Sequence, residues 1–302
     1  MHKPKLFIGM PVYNGERFMG EAIDSILSQS FSDFVLFISD DSSPDATGAI
    51  AQRYAAQDPR VIYYRQPQNL KMVKNFKFVL DQADTEYFMW AAHDDVREKE
   101  YLKVCIEKLE SDKKLGLATT AILDIDSLGR VLSVEKEVPP LFGPSLFWNV
   151  LRWTFQPEGF GKANLMYGVF RTQAAHVTWE AYPQRMVWAL DYHFALALVS
   201  RFNVYVDTQP LFKKRLGGSF STAEFKFEAQ RPFIPLTYRD RNNTIPFTRF
   251  MGYWRGHMEA LRGTPYQIPV TVILMLRFPR VFFEYVKARN YRKFIKKKLG
   301  IT

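Results

Sequence analysis

Two pairs of adjacent aspartates, Asp40–Asp41 and Asp94–Asp95, each follow a short apolar run in the sequence. Adjacent carboxylates repel each other and raise each other's pKa unless a cation or hydrogen-bond donors compensate. A hard divalent cation, Mn²⁺ or Mg²⁺, would suit Asp94–Asp95, because such ions take oxygen ligands and leave positions open for phosphate oxygens. Taken alone, either pair is equally compatible with a solvated turn that precedes a helix.

A third carboxylate, Asp191, lies in an otherwise apolar run, VWALDYHFALALV. A buried carboxylate has a raised pKa and can serve as a general base, although an aspartate on a helix surface gives the same pattern. The neighbouring His193 is more typical of a structural residue. Earlier in the chain, the segment PVYNG supplies a tyrosine that could stack on a base and a glycine that permits close backbone approach, or it forms a plain turn.

Several other chemistries lack their sequence motifs. There is no GxxxxGK[ST] loop, no GxGxxG turn after the first apolar run, no HExxH segment and no cluster of cysteine and histidine. These absences argue against P-loop enzymes, ordinary dinucleotide enzymes and zinc sites. The single cysteine, Cys105, cannot form an internal disulfide, so nothing indicates an oxidising compartment.

The elements that must position these residues alternate between strand and helix. Hydrophobic patterning predicts strands over 6–9, 34–39, 61–65, 87–91 and 116–123, and helices over 16–29, 73–83 and 101–111, with a further helix capped by Ser43. This order indicates an α/β fold with a largely parallel sheet flanked by helices. Ligands bind beyond the carboxyl ends of such strands, where the loops 11–15, 40–45 and 93–95 are expected.

The positive charge of the chain is concentrated near its C-terminus. The formal net charge is +10, and residues 267–302 hold nine Lys/Arg and one acid, which gives 9 − 1 = +8. A nucleic-acid enzyme would spread basic residues around its cleft, so no nucleic-acid partner is expected. Apolar residues recur at helical spacing in this tail, which predicts either an ordinary surface helix or an amphipathic helix on an anionic membrane.

Together, these segments resemble the inverting family 2 glycosyltransferases, which have the GT-A fold. The resemblance begins at FIGMPVYNGERFMGEAIDSILSQSFSDFVLFISDDSSPDAT and continues through MVKNFKFVLDQADTEYFMWAAHDDV. It is good over residues 5–123 and thinner to about residue 221. It implies a GT-A type, Rossmann-like mixed sheet flanked by helices, followed by an amphipathic helical tail.

The resemblance also implies roles for individual residues in a nucleotide-sugar site. Asp41 would accept a hydrogen bond from the base, Asp94 would contact the ribose, and Asp95 would ligate the metal bound to the diphosphate. Asp191 falls where the family places its catalytic base. Further positions assigned to nucleotide-sugar binding are Pro11 and Tyr13, which would line the nucleobase pocket, and Val12, Asn14, Asn75 and His93.

Two positions depart from the family pattern. The commoner metal motif is D-x-D-D, whose first position here is Ala92, and a histidine that often helps to hold the metal or diphosphate is replaced at Leu216. The neighbouring cations Lys214 and Arg215 could neutralise the diphosphate instead.

The implied function is inverting transfer of a sugar from a UDP-sugar or dTDP-rhamnose to a saccharide hydroxyl, in cell-surface polysaccharide or lipopolysaccharide synthesis. Residues 1–125 would form the nucleotide-sugar-binding half, 126–222 the acceptor-binding half of the same domain, and 223–302 a basic helical extension. We expect a saccharide or lipid-linked saccharide acceptor, and a cytoplasmic protein held peripherally on the inner face of the membrane by its tail. The alternatives are a non-catalytic nucleotide-sugar or polysaccharide-binding scaffold and, less compatible with PVYNGER, a nucleotidyltransferase.

Overall fold

The computed structural model describes residues 3–135, 143, 145–155, 162–181, 190–216 and 246–277. Its strands are β1 Leu6–Val12, β2 Phe34–Asp40, β3 Val61–Arg65, β4 Tyr87–Trp90, β5 Val96–Arg97, β6 Leu115–Ile125, β7 Val131–Glu135, β8 Val169–Arg171 and β9 Asn203–Arg215. Its helices are α1 Met19–Leu27, α2 Thr47–Gln57, α3 Met72–Asp81, α4 Tyr101–Ser111, α5 Leu146–Phe155, α6 Thr172–Ala181, α7 Leu190–Val199, α8 Pro246–Ala260 and α9, residues 267–277, with a short 3₁₀ helix at Lys162–Tyr167.

The first half of the chain forms the parallel part of one mixed sheet. Strands β3, β2, β1 and β4 lie side by side and run parallel, joined by crossover helices. Their carboxyl ends therefore share one edge, as the alternating pattern predicted. The predicted cap of the second helix was wrong: α2 begins at Thr47, because the Ser43 hydroxyl is used in a contact with the first loop, described below.

The second half completes the same sheet with antiparallel pairing. Strand β8 lies between β4 and β6 and is antiparallel to both, while β9 runs parallel to β6 and antiparallel to β5. The predicted fifth strand is therefore present as β6, but it does not extend the parallel set directly. Because β5 pairs with Phe212 and Lys213, the end of β9 lies beside the loop that contains Asp94 and Asp95.

Helices cover both faces of the sheet, so two hydrophobic cores are formed. Leu6, Ile8 and Met10 pack with α1, α2 and α4 on one face, while Phe7 packs on the other. This split follows from the two-residue repeat of a strand. The second face carries α3 and α5–α9, and residues 194–199 of α7 are completely buried within its core.

The last residues of the predicted basic tail, 278–302, lie outside the described residues, as do residues 217–245. The proposed divisions near residues 125 and 222 stay predictions, although strands from both of the first two segments belong to one sheet. Within the part of the chain that the structure describes, no helix combines the length and apolar character needed to cross a membrane.

Candidate functional site

The loops after β1 and β2 are held together by backbone groups that bond to side chains of the facing loop. The Asn14 amide donates to Ser43 Oγ at 3.0 Å, and the Gly15 amide donates to Thr47 Oγ1 at 2.8 Å. Gly15 is required here, because a Cβ at this position would lie 2.5 Å from Val12 Cγ2 and 3.1 Å from His93 Cδ2. The close approach brings the β4 loop against the β1 loop.

The four predicted binding residues of the first loop occupy different environments. Pro11 and Val12 are buried at the end of β1, whereas Tyr13 and Asn14 are exposed at the sheet edge. Asn14 has a φ of 56°, a left-handed conformation that asparagine tolerates better than most residues. Only Tyr13 thus offers an exposed aromatic face for stacking, and Pro11 and Val12 shape the strand end beneath it.

Asp40 and Asp41 are both buried, but they have different partners. Asp40 accepts hydrogen bonds from the Ser43 amide, Tyr63 and Arg65, so its carboxylate is fixed within the protein. Asp41 Oδ1 accepts from the Leu70 amide at 2.6 Å, whereas its Oδ2 makes no hydrogen bond among the described residues. Of the two, Asp41 is therefore better placed to accept a hydrogen bond from a ligand.

Asn75 lies in the interior between α3 and β2. Its Oδ1 accepts from Ser39 Oγ at 2.6 Å, and its Nδ2 donates to the Ser39 carbonyl at 3.0 Å. Gln66 donates to the same Ser39 hydroxyl. Since the amide is engaged within the core, this placement supports a positioning role for Asn75 and not the predicted direct contact with a nucleotide sugar.

Asp95 is a buried carboxylate at the carboxyl end of β4. Its Oδ1 accepts from the Arg215 amide at 2.9 Å. Burial, followed by the charge of Asp94, raises the pKa of Asp95 to about 6. His93, two residues before Asp95 in the same loop, is also buried. Burial lowers its pKa, so the imidazole is neutral at neutral pH.

Arg215 braces this loop from the end of β9. Its side chain is only 1% exposed, and its Nε donates to the Asp94 carbonyl at 2.9 Å. The two other nitrogens donate to the Asp126 carbonyl at 2.9 Å and to the Glu21 carboxylate at 2.5 Å. With every nitrogen donating to protein, Arg215 is placed to hold the loop, and its predicted contact with a diphosphate is not supported by this geometry.

Lys214, by contrast, lies next to Arg215 near the end of β9 and is partly buried. Its Nζ donates to Asn164 Oδ1 at 2.8 Å. Its positive charge acts on both Asp95 and Asp191, partly offsetting the increase that burial causes in the pKa of each. The charges of Arg97 and Lys214 both favour ionisation of Asp95, and that of Lys214 also favours ionisation of Asp191.

Tyr167 joins the same group, and sequence reasoning did not assign it a role. Burial raises its pKa, and the negative charges of Asp95, Asp191 and Asp94 raise it further. The sequence signal was only general, since Tyr167 is one of many aromatic residues in its segment.

Asp191 lies in the first turn of α7, where its Oδ1 accepts from the Tyr192 amide at 3.0 Å. The side chain reaches solvent, yet burial by the surrounding protein raises its pKa. A raised pKa suits a group that must take up a proton near neutral pH.

Comparison with known proteins bears on the family of the chain. Residues 7–162, just over half of the chain, match the family described as Glycosyl transferase family 2. The chain belongs to glycosyl transferase family 2. The family membership that the sequence resemblance implied is thereby confirmed.

Among relatives, the family member GalNAc(5)-diNAcBac-PP-undecaprenol beta-1,3-glucosyltransferase of Campylobacter jejuni is 35% identical over 94 residues, covering 30% of each protein. The aligned segments span about half or less of the lengths of the curated relatives that the chain matches.

Solved structures that resemble the fold include two with a bound nucleotide sugar. Staphylococcus aureus TarS 1–349 in complex with UDP-GlcNAc has a TM-score of 0.64 at 17% identity, covering 89% of this chain and 70% of that one. The mannosyltransferase PcManGT of Pyrobaculum calidifontis, in complex with GDP-Man and Mn²⁺, has a TM-score of 0.54 at 14% identity, covering 93% and 73%. The predicted GT-A fold, a mixed sheet flanked by helices, is confirmed.

The predicted metal site can be compared with the side chains of this chain that could act as metal ligands. No group of three or more His, Cys, Asp or Glu side chains able to hold a metal occurs among the described residues. Asp95 and the adjacent Asp94 nevertheless fit a hard cation, since a buried carboxylate of raised pKa is stabilised by positive charge and further oxygens can come from a diphosphate and water. Leu216 donates only its amide, to the Ile125 carbonyl, so it adds no side-chain ligand.

The placement of Asn75 predicts that its loss affects stability and not binding. Asn75→Ala should lower the free energy of unfolding by about 1 to 3 kcal/mol, because the Ser39 carbonyl loses its buried donor. Urea denaturation would measure this, and a Ser39→Ala, Asn75→Ala double variant should show a non-additive loss. If Asn75→Ala instead bound UDP or dTDP with Mn²⁺ more weakly at unchanged stability, Asn75 would be a nucleotide-binding residue, as the sequence predicted.

The raised pKa of Asp95 predicts a distinct pH dependence of stability. Because ionisation of this buried group is unfavourable, its contribution to stability is present at low pH and is lost as pH rises through about 6. Asp95→Asn cannot ionise, so without divalent metal its stability relative to wild type should increase by about 1 to 3 kcal/mol between about pH 4 and pH 8.

Urea denaturation in the presence of EDTA at the two pH values would measure this change. The exposed Asp84→Asn serves as the control and should follow the wild-type pH profile. Parallel profiles for Asp95→Asn and wild type would contradict the assignment of Asp95 as a carboxylate that is costly to ionise.

Proposed function

We propose that the protein is a metal-dependent, inverting glycosyltransferase that moves a sugar from a nucleoside-diphosphate sugar to a saccharide hydroxyl. The observation that carries this proposal is the Asp94–Asp95 loop, which Arg215 fixes beside Lys214 at the end of β9, in a chain that belongs to glycosyl transferase family 2. Asp94 and Asp95 would lie on the side of the diphosphate, whereas Asp191 would activate the acceptor hydroxyl.

The donor would lie across the carboxyl edge of the parallel strands. Tyr13 is exposed for stacking on the base, Asp41 Oδ2 accepts from a base N–H, and Asp94 contacts the ribose. The bound UDP-GlcNAc in TarS and GDP-Man in PcManGT support a nucleotide-sugar donor for this fold. We propose a UDP-sugar or dTDP-rhamnose as the donor.

The diphosphate would be handled by Asp95 and Lys214. Asp95 would hold Mn²⁺ or Mg²⁺, which supplies positive charge to the leaving diphosphate when it is bound. Lys214, fixed by Asn164, offsets further charge on the same leaving group. Arg215 keeps the Asp94–Asp95 loop in place through its backbone and side-chain bonds.

Asp191 would act as the general base. Its carboxylate takes the proton from the acceptor hydroxyl as that oxygen forms a bond to the anomeric carbon, from the face opposite the diphosphate. The bond from the anomeric carbon to the diphosphate oxygen breaks, and the nucleoside diphosphate leaves with the bonding electrons. A single displacement of this kind inverts the configuration at the anomeric carbon.

The acceptor would be a saccharide or lipid-linked saccharide in cell-surface polysaccharide or lipopolysaccharide synthesis. The name of the Campylobacter jejuni relative, which specifies an undecaprenol-linked saccharide, supports a lipid-linked acceptor. We also propose a cytoplasmic protein that is peripheral on the inner face of the cell membrane, as the net charge of 9 − 1 = +8 over residues 267–302 suggests.

Donor turnover tests the assignment of the two carboxylates. Asp191→Asn should keep donor affinity but lower the transfer rate by about 10² to 10⁴, because it removes the proton acceptor. Asp95→Ala should abolish the Mn²⁺-dependent part of the activity. Both would be measured as release of nucleoside diphosphate from a panel of UDP- and dTDP-sugars with Mn²⁺, and Asp84→Asn, an exposed aspartate, should match wild type.

Each unfavourable result has a definite meaning. Near-normal transfer by Asp191→Asn would remove it as the base. Wild-type protein that binds a nucleoside diphosphate but turns over no donor, with Mn²⁺ or Mg²⁺ and saccharide acceptors present, would instead identify a non-catalytic scaffold.

A further inference from the structure

We propose that the exposed apolar sides of α5 and α9 form a surface that docks on an anionic lipid bilayer. The first observation is the outward side of α9. Every exposed residue of this helix is apolar, with Ile268 79% and Leu276 71% exposed and Val272 and Met275 exposed between them. At 3.6 residues per turn, these four positions form one stripe.

The inward side of α9 is apolar as well. Val270, Ile273 and Leu274 are buried, and Val270 and Leu274 belong to the core that contains α7. An ordinary surface helix has one apolar face and an opposite polar face. Because α9 is apolar on both, its outward stripe is not explained by packing within the described chain.

Helix α5 continues this surface beside α9. Phe147, Trp148 and Phe155 are exposed, the last at 66%. The ring of Phe147 lies 6.3 Å from that of Tyr266, and Arg277 at the end of α9 donates to the Thr154 carbonyl at the end of α5. We call the exposed apolar residues of α5 and α9 the docking face.

The charged side chains within the two helices are of one sign. Neither 146–155 nor 267–277 contains an acidic residue, and the charged side chains within them are Arg152 and Arg277. The sequence then continues from Arg277 into residues 278–302, which hold eight Lys/Arg and the single acid Glu284. The apolar face is thus directly followed by a strongly basic segment.

This combination selects the occupant. A second copy of the chain would bring like charges together, which is unfavourable. An anionic bilayer instead accepts apolar and aromatic side chains at its acyl boundary while its headgroups attract Lys and Arg. The docking face therefore extends membrane contact beyond the basic tail, to two helices of the folded protein.

The position of the docking face also concerns the acceptor. Helix α7, which begins beside Asp191, packs against α5 and α8. A lipid-linked saccharide could then be taken from the bilayer on which α5 rests. This last step depends on the proposed transferase function, but bilayer binding by the docking face does not.

Vesicle flotation of the full-length chain tests bilayer binding separately from catalysis. Vesicles of phosphatidylcholine with phosphatidylglycerol, and of phosphatidylcholine alone, would be compared. An Ile268→Glu, Leu276→Glu variant should bind the anionic vesicles at least about tenfold more weakly than wild type, because two apolar contacts are lost and negative charge is added. Leu128→Glu is the matched control, since Leu128 is 73% exposed on a different surface turn, and should bind as wild type does.

A second, less disruptive measurement guards against misfolding of the double variant. An environment-sensitive dye on Leu276→Cys should shift to shorter wavelength with anionic vesicles, whereas the same dye on Leu128→Cys should not; Cys105 is buried and leaves the label specific. Unchanged vesicle binding by the double variant, or no shift at position 276, would overturn the proposal. So would wild-type dimers, detected by light scattering, that the double variant abolishes.

Discussion

The hydrogen bonds between the end of β9 and the Asp94–Asp95 loop are the constraint on which the site depends. One residue, Arg215, binds Asp95 through its amide and the Asp94 carbonyl through its side chain. These bonds help to fix two adjacent carboxylates in the loop after β4, whose mutual repulsion favours separation. The pairing of β5 with β9 supplies the backbone register that makes the contact possible.

The same register explains why charge is balanced where it is. Lys214 precedes Arg215, and its charge acts on Asp95 and Asp191 while Asn164 holds its ammonium group. Two neighbouring cations on one strand thus have different roles. Arg215 is buried and holds the loop, whereas the charge of Lys214 acts on Asp95 and Asp191. Arginine suits the first task because its planar group bonds to several oxygens at once, while lysine presents a single point charge.

The sequence was informative where structure is local. Hydrophobic patterning predicted α4 with its observed bounds and the four parallel strands, because α4 buries one side and the central strands are short apolar runs buried on both faces. It failed where partners are distant in the chain. Ser43 was predicted to cap a helix but bonds to Asn14, and the role of Arg215 depends on oxygens far earlier in the sequence. The aspartates could be selected as candidates from the sequence, whereas the role of Arg215 in holding their loop could not.

The position of Asp191 depends on a buried contact that links the proposed base to the C-terminal helices. His193, two residues further along α7, approaches the Tyr253 carbonyl at 3.3 Å and His257 at 3.2 Å. Burial lowers the pKa of His193, so it introduces no charge into the core at neutral pH. A Cβ on Gly256 would lie 2.3 Å from the His193 ring, so only glycine allows α8 to come this close.

Because α7 also packs on α5, the helix that begins beside Asp191 is fixed by α8 and by one of the helices of the docking face. If Asp191 is the base and α5 rests on a bilayer, as proposed, a lipid-linked hydroxyl would be presented to Asp191 at a constant height above that bilayer. In that arrangement, the membrane as well as the residues around Asp191 would orient the acceptor. The protein itself would then need to supply fewer contacts to the acceptor.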